Sequence, residues 1–264
     1  MKSKLKALEN LGNHLKGLKN KIATHKHHKL ILGIFTIFCL FLVVLIPTYN
    51  AYSVEEAPIT EPVTQQVLGN ESYGTVIKEG PYGNCSSSIK VAYIIGQHPR
   101  EYRAHKAIAE NVKEQSSSLK KCYYLYYINV TQYASDFSKG RMNGQLLSKE
   151  YVVPSITSEK FSLAIDVHGT DGEYSKKVFL FTPIPQGASM DIAYNLSNTV
   201  KGVPYYYAPN PTSTRYTTLP LINNGIPALV YESFTDLPYN VIKEQNREFI
   251  LGVDNLILKP NPCY

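Results

Sequence analysis

The stretch IKVAYIIGQHPREYRAHKAIAENV, residues 89–112, decides the fold. Its apolar start predicts a buried strand, Gly96 predicts a turn, and the segment from Pro99 onward predicts a helix. Ligands bind at the carboxyl ends of strands in α/β sheets, and His98 and Glu101 emerge together at such an end. The stretch therefore predicts an α/β unit with a nitrogen and a carboxylate donor beside one strand.

A histidine and a glutamate three residues apart can face one metal ion when the first lies in a turn and the second in the first helical turn. His98 and Glu101 have this spacing and would supply two ligands. The same pair also occurs without a metal, as a surface histidine followed by a glutamate that the helix dipole favours. The HxxE motif alone leaves both interpretations open.

Two more predicted strands end in residues that suit metal chemistry. The segment FSLAIDVHGTDG, residues 161–172, supplies His168, and Asp166 lies two residues earlier on the same side, where a carboxylate can orient the imidazole of a ligand. The segment GIPALVYES, residues 225–233, delivers Glu232 in the same way. A core-edge histidine and a structural salt bridge are the alternative roles of His168 and Glu232.

The joint occurrence of these strand ends indicates hydrolytic zinc chemistry. His98, Glu101 and His168 would be three ligands that leave a fourth position of one zinc ion open for water, whose pKa zinc lowers to about 7. Glu232 would be the general base that takes the proton of this water and returns it to the leaving nitrogen. His105, four residues after Glu101 on the same helix face, is an alternative to His168 as a ligand.

Strand-like and helix-like segments alternate along the chain, which predicts an α/β domain with helices packed on a mostly parallel or mixed sheet. The predicted strands cover residues 89–96, 123–130, 161–167, 177–182 and 227–232. The predicted helices cover residues 101–118, 188–201 and 238–257.

The motifs together resemble the zinc carboxypeptidase superfamily, including its succinylglutamate desuccinylase/aspartoacylase branch, over roughly residues 88–235. In that family an HxxE pair and a later histidine are the ligands and a late glutamate is the catalytic acid/base. The resemblance gives these roles to His98, Glu101, His168 and Glu232. It implies a three-layer α/β/α sandwich around a mixed sheet.

The resemblance also suggests residues that hold the substrate. The family places an arginine and an asparagine between the two ligand motifs to bind the substrate carboxylate and the oxyanion, and the segment KGRMNGQ offers Arg141 and Asn143. Their spacing departs from the adjacent Asn-Arg pair of the family. Arg141 is suited to gripping a carboxylate and to stabilising developing charge. Arg215 and Tyr216 resemble the segment that carries a mobile tyrosine in the carboxypeptidases.

The chain before this domain predicts a membrane anchor. Residues 1–29 hold eight lysines and one glutamate, and the seventeen residues LILGIFTIFCLFLVVLI carry no charge. At about 1.5 Å per residue this run nearly crosses a hydrocarbon core of roughly 30 Å, with its lysine-rich side in the cytoplasm. We expect a basic cytoplasmic tail over 1–29, a transmembrane anchor over 30–47, an extended stem over 48–72 and a folded domain over 73–264. A cleaved signal peptide is the alternative to the anchor.

Charge and cysteine content narrow the expectations further. The formal net charge is +6, but beyond the tail 19 basic residues face 20 acidic ones, which argues against a nucleic-acid-binding domain. An exported domain permits a disulfide, for which Cys85 and Cys122 are the preferred pair because each precedes an apolar β-prone run. Cys263 is the competing partner, and Cys39 lies inside the span.

These expectations combine into one function. The sequence predicts an extracytoplasmic, membrane-anchored hydrolase with one zinc ion that cleaves an amide bond of a peptide, such as a cell-wall or surface peptide. Its partners would be the peptide or an N-acyl amino acid and the lipid bilayer through residues 30–47. A deacylase of N-acyl amino acids and a catalytically silent surface-binding module are the alternatives.

Overall fold

A computed structural model describes residues 12–21, 62–209 and 211–261 of the chain. It divides into two compact units, residues 1–56 and 57–264. In the first unit, residues 12–21 form an exposed helix, α1. The predicted anchor over residues 30–47 lies outside the described residues, as do Cys39 and Cys263. None of the helices in the described ranges is both long enough and apolar enough to cross a bilayer.

The second unit is built on one seven-stranded mixed sheet in the described part of the chain. Its spatial order is β1-β2-β4-β3-β5-β7-β6. The inner strands β4, β3, β5 and β7 run parallel to one another, and β1, β2 and β6 are added antiparallel. The strands are β1 (Thr64–Glu71), β2 (Gly74–Gly83), β3 (Lys90–Ile95), β4 (Cys122–Val130), β5 (Leu163–Thr170), β6 (Phe179–Phe181) and β7 (Ala228–Phe234).

Helices cover both faces of the sheet because its central strands are apolar on both sides. On one face, alternate residues of β3, β5 and β7 pack against α2, α5 and α7. On the other face, the intervening residues pack against α3, α4 and α6. The helices are α2 (Tyr102–Glu114), α3 (Phe137–Leu147), α4 (Val153–Ser158), α5 (Ala188–Thr199), α6 (Thr218–Asn223) and α7 (Tyr239–Asn255). The predicted α/β fold with a mixed sheet is confirmed.

The first strand corrects the predicted domain boundary. Residues 64–71, which the sequence places in an extended stem, form β1 and pair with β2 along their whole length. This strand contains only two large apolar residues, and Val67 is 64% exposed. Backbone pairing holds it at the sheet edge with little apolar burial, so its sequence lacks the alternating pattern that identifies a half-buried strand.

A buried carboxylate ties this edge to the rest of the sheet. Glu79 on β2 is 5% exposed and accepts hydrogen bonds from Gln65 at 2.5 Å, Tyr82 at 2.6 Å and Tyr127 at 3.1 Å. The ammonium group of Lys113 on α2 lies 2.6 Å from the same carboxylate. Burial by itself would raise the pKa of Glu79, but these partners lower it to about 2.

The predicted disulfide between Cys85 and Cys122 is not formed, since both are free cysteines. The two cysteines are nevertheless neighbours, because the Cys85 thiol donates to the Gly83 carbonyl oxygen at 3.6 Å and Gly83 pairs with Cys122 in the sheet. Burial raises the pKa of the Cys122 thiol to about 12, and the adjacent Cys85 adds to this effect. Joining two thiols into a disulfide removes two electrons, so formation of the bond requires an oxidant.

The turn after β3 directs the chain toward the carboxyl end of the parallel strands. Gly96 has a φ of +89°, and a side chain there would come within 2.1 Å of the Ile128 carbonyl oxygen. Only glycine fits both requirements. A 3₁₀ turn over Pro99–Glu101 follows and leads into α2. The HxxE segment is thereby held against the ends of β4 and β5.

Candidate metal and catalytic site

The first two candidate ligands face each other across the turn between β3 and α2. His98 is 2% exposed, and its Nδ1 lies 2.9 Å from Oε1 of Glu101. Pro99 at the start of the 3₁₀ turn fixes the backbone between them, and Glu101 ends that turn. The two side chains therefore converge on the space above the end of β5.

His168 on β5 completes the cluster. Its Nδ1 lies 2.9 Å from Nδ1 of His98 and 3.0 Å from Oε2 of Glu101. The same carboxylate oxygen accepts a hydrogen bond from the backbone N–H of Gly169 at 3.1 Å. One donor atom from each of His98, Glu101 and His168 lies within 4.8 Å of the other two. The structure thus brings together the three predicted ligands.

Asp166 lies behind His168, on the side away from the cluster. It is fully buried, and its Oδ2 is 3.1 Å from Nε2 of His168. The amide of Gln97 lies between this carboxylate and Thr217; with its nitrogen toward Asp166, it donates at 2.8 and 3.0 Å. A carboxylate on the outer nitrogen of a histidine keeps the inner nitrogen free for a metal.

Burial and mutual charge shift the pKa values of all three clustered residues. Burial lowers the pKa of His98 to about 4, so its ring is neutral near neutral pH. Although burial opposes it, His98 and His168 hold the pKa of Glu101 well below its usual range. Asp166 and Glu101 raise the pKa of His168 against the opposing effect of burial. Shifts of this kind concentrate at functional sites.

Glu232 on β7 lies directly beside His168 in the sheet. The two residues are paired in register, and on its other side Glu232 pairs with Phe179 of β6. Its carboxylate makes no hydrogen bond or ion pair with any residue in the described ranges. Burial raises the pKa of Glu232 to about 8; His168 opposes this shift, and nearby carboxylates, first of all Glu101, reinforce it. A carboxyl group of this pKa can accept and return a proton near neutral pH.

Arg141 is the predicted substrate-binding residue that the structure brings to the cluster. Its guanidinium lies 3.7 Å from Oε1 of Glu101 and stacks over the ring of Phe137 at 4.6 Å. Both residues belong to α3 and line a cleft of about 190 Å³. His98, Glu101, Arg100 and Glu173 are among the other lining residues. The cleft therefore carries positive and negative groups around the candidate ligands.

The remaining predicted substrate-binding residues do not line the cleft, and the alternative ligand His105 binds elsewhere. Asn143 donates a hydrogen bond to the backbone carbonyl of Gln132 at 3.0 Å, on another face of α3. Arg215 is exposed and Tyr216 is half-buried in the turn before α6, and neither lines the cleft. His105, the alternative ligand, contacts the Val167 carbonyl through Nε2 at 3.0 Å. Burial lowers the pKa of His105 to about 4.

The residue that the sequence analysis missed is Gln145. It is 3% exposed, and its amide lies 3.2 Å from Nε2 of His98. Arg141 and Gln145 are four residues apart, so they lie on the same face of α3, whereas Asn143 does not. That spacing is the signal in the sequence that would have favoured Gln145 over Asn143.

The donor set fits a zinc ion. Two histidine nitrogens and one carboxylate are a combination found in catalytic zinc sites, which keep a further position open. The two Nδ1 atoms point at each other across 2.9 Å with a carboxylate between them, an arrangement in which a cation would satisfy all three lone pairs. The outer nitrogens of both histidines already have polar neighbours, Asp166 and Gln145.

No protein-family model matches the sequence, and no curated protein matches it. The structure is similar to a protein from Shewanella denitrificans OS-217 provisionally called a carboxypeptidase A, with a TM-score of 0.51 and 16% sequence identity over 76% of this chain and 65% of that one. A metallo-carboxypeptidase from Pseudomonas aeruginosa gives 0.47 and 15%, over 78% and 67%. A succinylglutamate desuccinylase/aspartoacylase from Rhodobacter sphaeroides gives 0.45 and 13%, over 73% and 64%.

The first of these similarities defines the fold. The domain has the fold of a carboxypeptidase-like protein, and the resemblance seen in the sequence is confirmed at that level. At 16% identity this likeness concerns the path of the chain and leaves the reaction to be argued from the site itself.

Proposed function

We propose that the chain is a zinc-dependent hydrolase that cleaves an amide bond of a peptide. One observation carries the proposal: His98, Glu101 and His168 converge within 4.8 Å, and Glu232 is the strand neighbour of His168. A metal-binding triad beside a half-buried carboxyl group at the ends of parallel strands is suited to hydrolysis. The carboxypeptidase-like fold supports the same reaction class.

Each residue has a separate task in this proposal. A zinc ion held by His98, Glu101 and His168 would supply Lewis-acid chemistry and an activated water molecule. The Glu232 carboxylate accepts a proton from this water and delivers it to the leaving nitrogen. A pKa near 8 suits a group that both accepts and donates a proton. Arg141 binds a carboxylate of the substrate through its guanidinium, 3.7 Å from Glu101.

The location of the enzyme is a further part of the proposal. The uncharged run over residues 30–47 and the eight lysines before it support a single-pass anchor with the N-terminus in the cytoplasm. The domain would then act outside the membrane, on a cell-wall or other surface peptide. The sequence alone supports this assignment.

The decisive experiment measures zinc and hydrolysis together. The purified full chain is analysed for zinc beside the His98→Ala and His168→Ala variants, and each is incubated with a peptide library and a set of N-acyl amino acids. We expect about one zinc ion per chain, lost in both variants, and peptide cleavage by the wild type alone.

The other outcomes separate the alternatives. Cleavage of N-acyl amino acids without any peptide cleavage would favour a deacylase. Bound zinc without turnover of either class would favour a silent binding module. A wild-type chain that binds no zinc after reconstitution would refute the hydrolase.

A further inference from the structure

Gln145 lies against the one ring nitrogen of His98 that does not face the cluster. Its amide nitrogen is 3.2 Å from Nε2 of His98 and 3.4 Å from the hydroxyl oxygen of Thr212. The side chain is 3% exposed, so water does not compete for these contacts. A buried polar group of this kind keeps its partners because leaving it unpaired is costly.

We propose that Gln145 is a positioning residue that sets the tautomer and orientation of His98 for metal binding. This inference rests on the proposed zinc site. A neutral histidine that binds a metal through Nδ1 carries its proton on Nε2, and that N–H needs an acceptor. The amide of Gln145 supplies one when a half-turn about its Cγ–Cδ bond exchanges its nitrogen and oxygen, because the oxygen can then accept from this N–H and from the Thr212 hydroxyl.

The helix that carries Gln145 is shaped for this contact. A Cβ at Gly144 would come within 1.9 Å of the Gln97 carbonyl oxygen, so only glycine allows α3 to approach the turn so closely. Gln97 immediately precedes His98 in the chain. The close approach at Gly144 therefore brings the next residue, Gln145, onto the His98 ring.

The Nε2 atoms of the two candidate histidine ligands face groups of different charge. The Nε2 atom of His168 faces the Asp166 carboxylate at 3.1 Å, whereas that of His98 faces a neutral amide. A carboxylate strengthens the electron donation of a ligand more than an amide does. His98 is therefore the less strongly supported ligand, and a negative charge at position 145 would strengthen it.

The test compares zinc affinity in three variants of the full chain by competition with a chelating dye. Gln145→Leu keeps the size and removes the acceptor, Gln145→Glu replaces it with a charged one, and Met142→Ala on the exposed side of α3 is the control. We expect the zinc dissociation constant to rise about 10- to 100-fold in Gln145→Leu. It should equal or fall below the wild-type value in Gln145→Glu, and Met142→Ala should match the wild type.

Thermal unfolding of each variant stripped of metal separates positioning from folding. The inference is supported if metal-free Gln145→Leu unfolds at the wild-type temperature but binds zinc more weakly. It is also supported if Gln145→Glu binds zinc at least as tightly as the wild type. Equal zinc affinity in wild type and Gln145→Leu would overturn it while leaving the zinc site intact. Absence of zinc binding in the wild type would overturn both this inference and the proposed function.

Discussion

Single residues at strand ends were predictable because the strands before them are strongly apolar. His98, His168 and Glu232 each follow such a run, and the structure brings all three together. The roles of Asn143 and Gln145 were not predictable in this way. They lie in a glycine-containing segment with little apolar pattern, so only the four-residue spacing from Arg141, and not the apolar period, indicates the inward face of its helix.

Substitution of Glu232 tests the role of a single residue. Replacing it with glutamine keeps the size of the side chain but removes its ability to accept a proton. We expect kcat on the best peptide substrate to fall about 10²- to 10⁴-fold, the range that general acid–base catalysis contributes. Zinc content and KM should stay near the wild-type values, because the residue is not among the proposed ligands.

Steady-state kinetics and elemental analysis of the same preparations check this outcome. The exposed Glu248 on α7 provides the matched control, Glu248→Gln, which should behave as the wild type. Undiminished kcat in Glu232→Gln would assign the proton transfer to another group.

The strands and helices that were predicted correctly have enough apolar residues to show the spacing typical of a strand or a helix. The strands β3, β4, β5, β6 and β7 and the helices α2, α5 and α7 begin and end within four residues of the predicted bounds. The missed elements are β1, β2, α3, α4 and α6, and most of them have a physical reason. β1 is an exposed edge strand, α3 contains two glycines, and α4 and α6 are only six residues long. Tertiary packing stabilises these segments more than local preference does.

The junction of β1 with the sheet depends on the ionised form of Glu79. Its pKa is about 2 in the folded chain and near 4.5 when unperturbed. A lowered pKa stabilises the fold above pH 4.5, and this stabilisation is lost as the pH falls toward 2. At pH 7 we expect Glu79→Gln to lower the free energy of unfolding by about 1–3 kcal/mol.

Urea unfolding at several pH values tests this linkage. The difference in stability between wild type and Glu79→Gln should shrink steadily from pH 5 to pH 2. The exposed Glu150 on the turn before α4 provides the control variant Glu150→Gln, which should differ little from wild type at any pH. A constant difference across the range would show that the charge of Glu79 contributes nothing.

At the scale of the whole molecule, the α/β class and the mixed sheet followed from the alternation of strands and helices. The order of the strands did not, since the pairing of β1, β2 and β6 depends on contacts between distant segments. The basic tail, the anchor over residues 30–47 and the external location stay predictions. The neighbourhood of Cys85 and Cys122 was predicted correctly, while the bond itself is absent.

Oxidation of that thiol pair should stabilise the chain as a whole. A disulfide acts largely by restricting the unfolded chain, so it affects global unfolding more than local structure. For a loop of this length we expect about 2–4 kcal/mol of added stability. At about 2–4 °C per kcal/mol for a domain of this size, the unfolding temperature should rise by several degrees.

Differential scanning calorimetry under oxidising and reducing conditions measures the shift, and peptide mapping by mass spectrometry identifies the bonded cysteines. The Cys85→Ser variant should unfold at the same temperature in both conditions. A bond from Cys122 to Cys263 would support the competing pairing.

The division of the sheet into a parallel half and an antiparallel hairpin has a practical use for protein engineering. The candidate site draws its residues from β5, β7, α3 and the turn after β3, and β1 and β2 contribute none. The tight connection between β1 and β2 leaves Ser72 exposed, at the same edge of the sheet as the site but with β4 and β3 between the hairpin and β5. A fluorophore or an inserted recognition tag at that turn would leave the residues of the site in place, because exposed loop tips accept insertions.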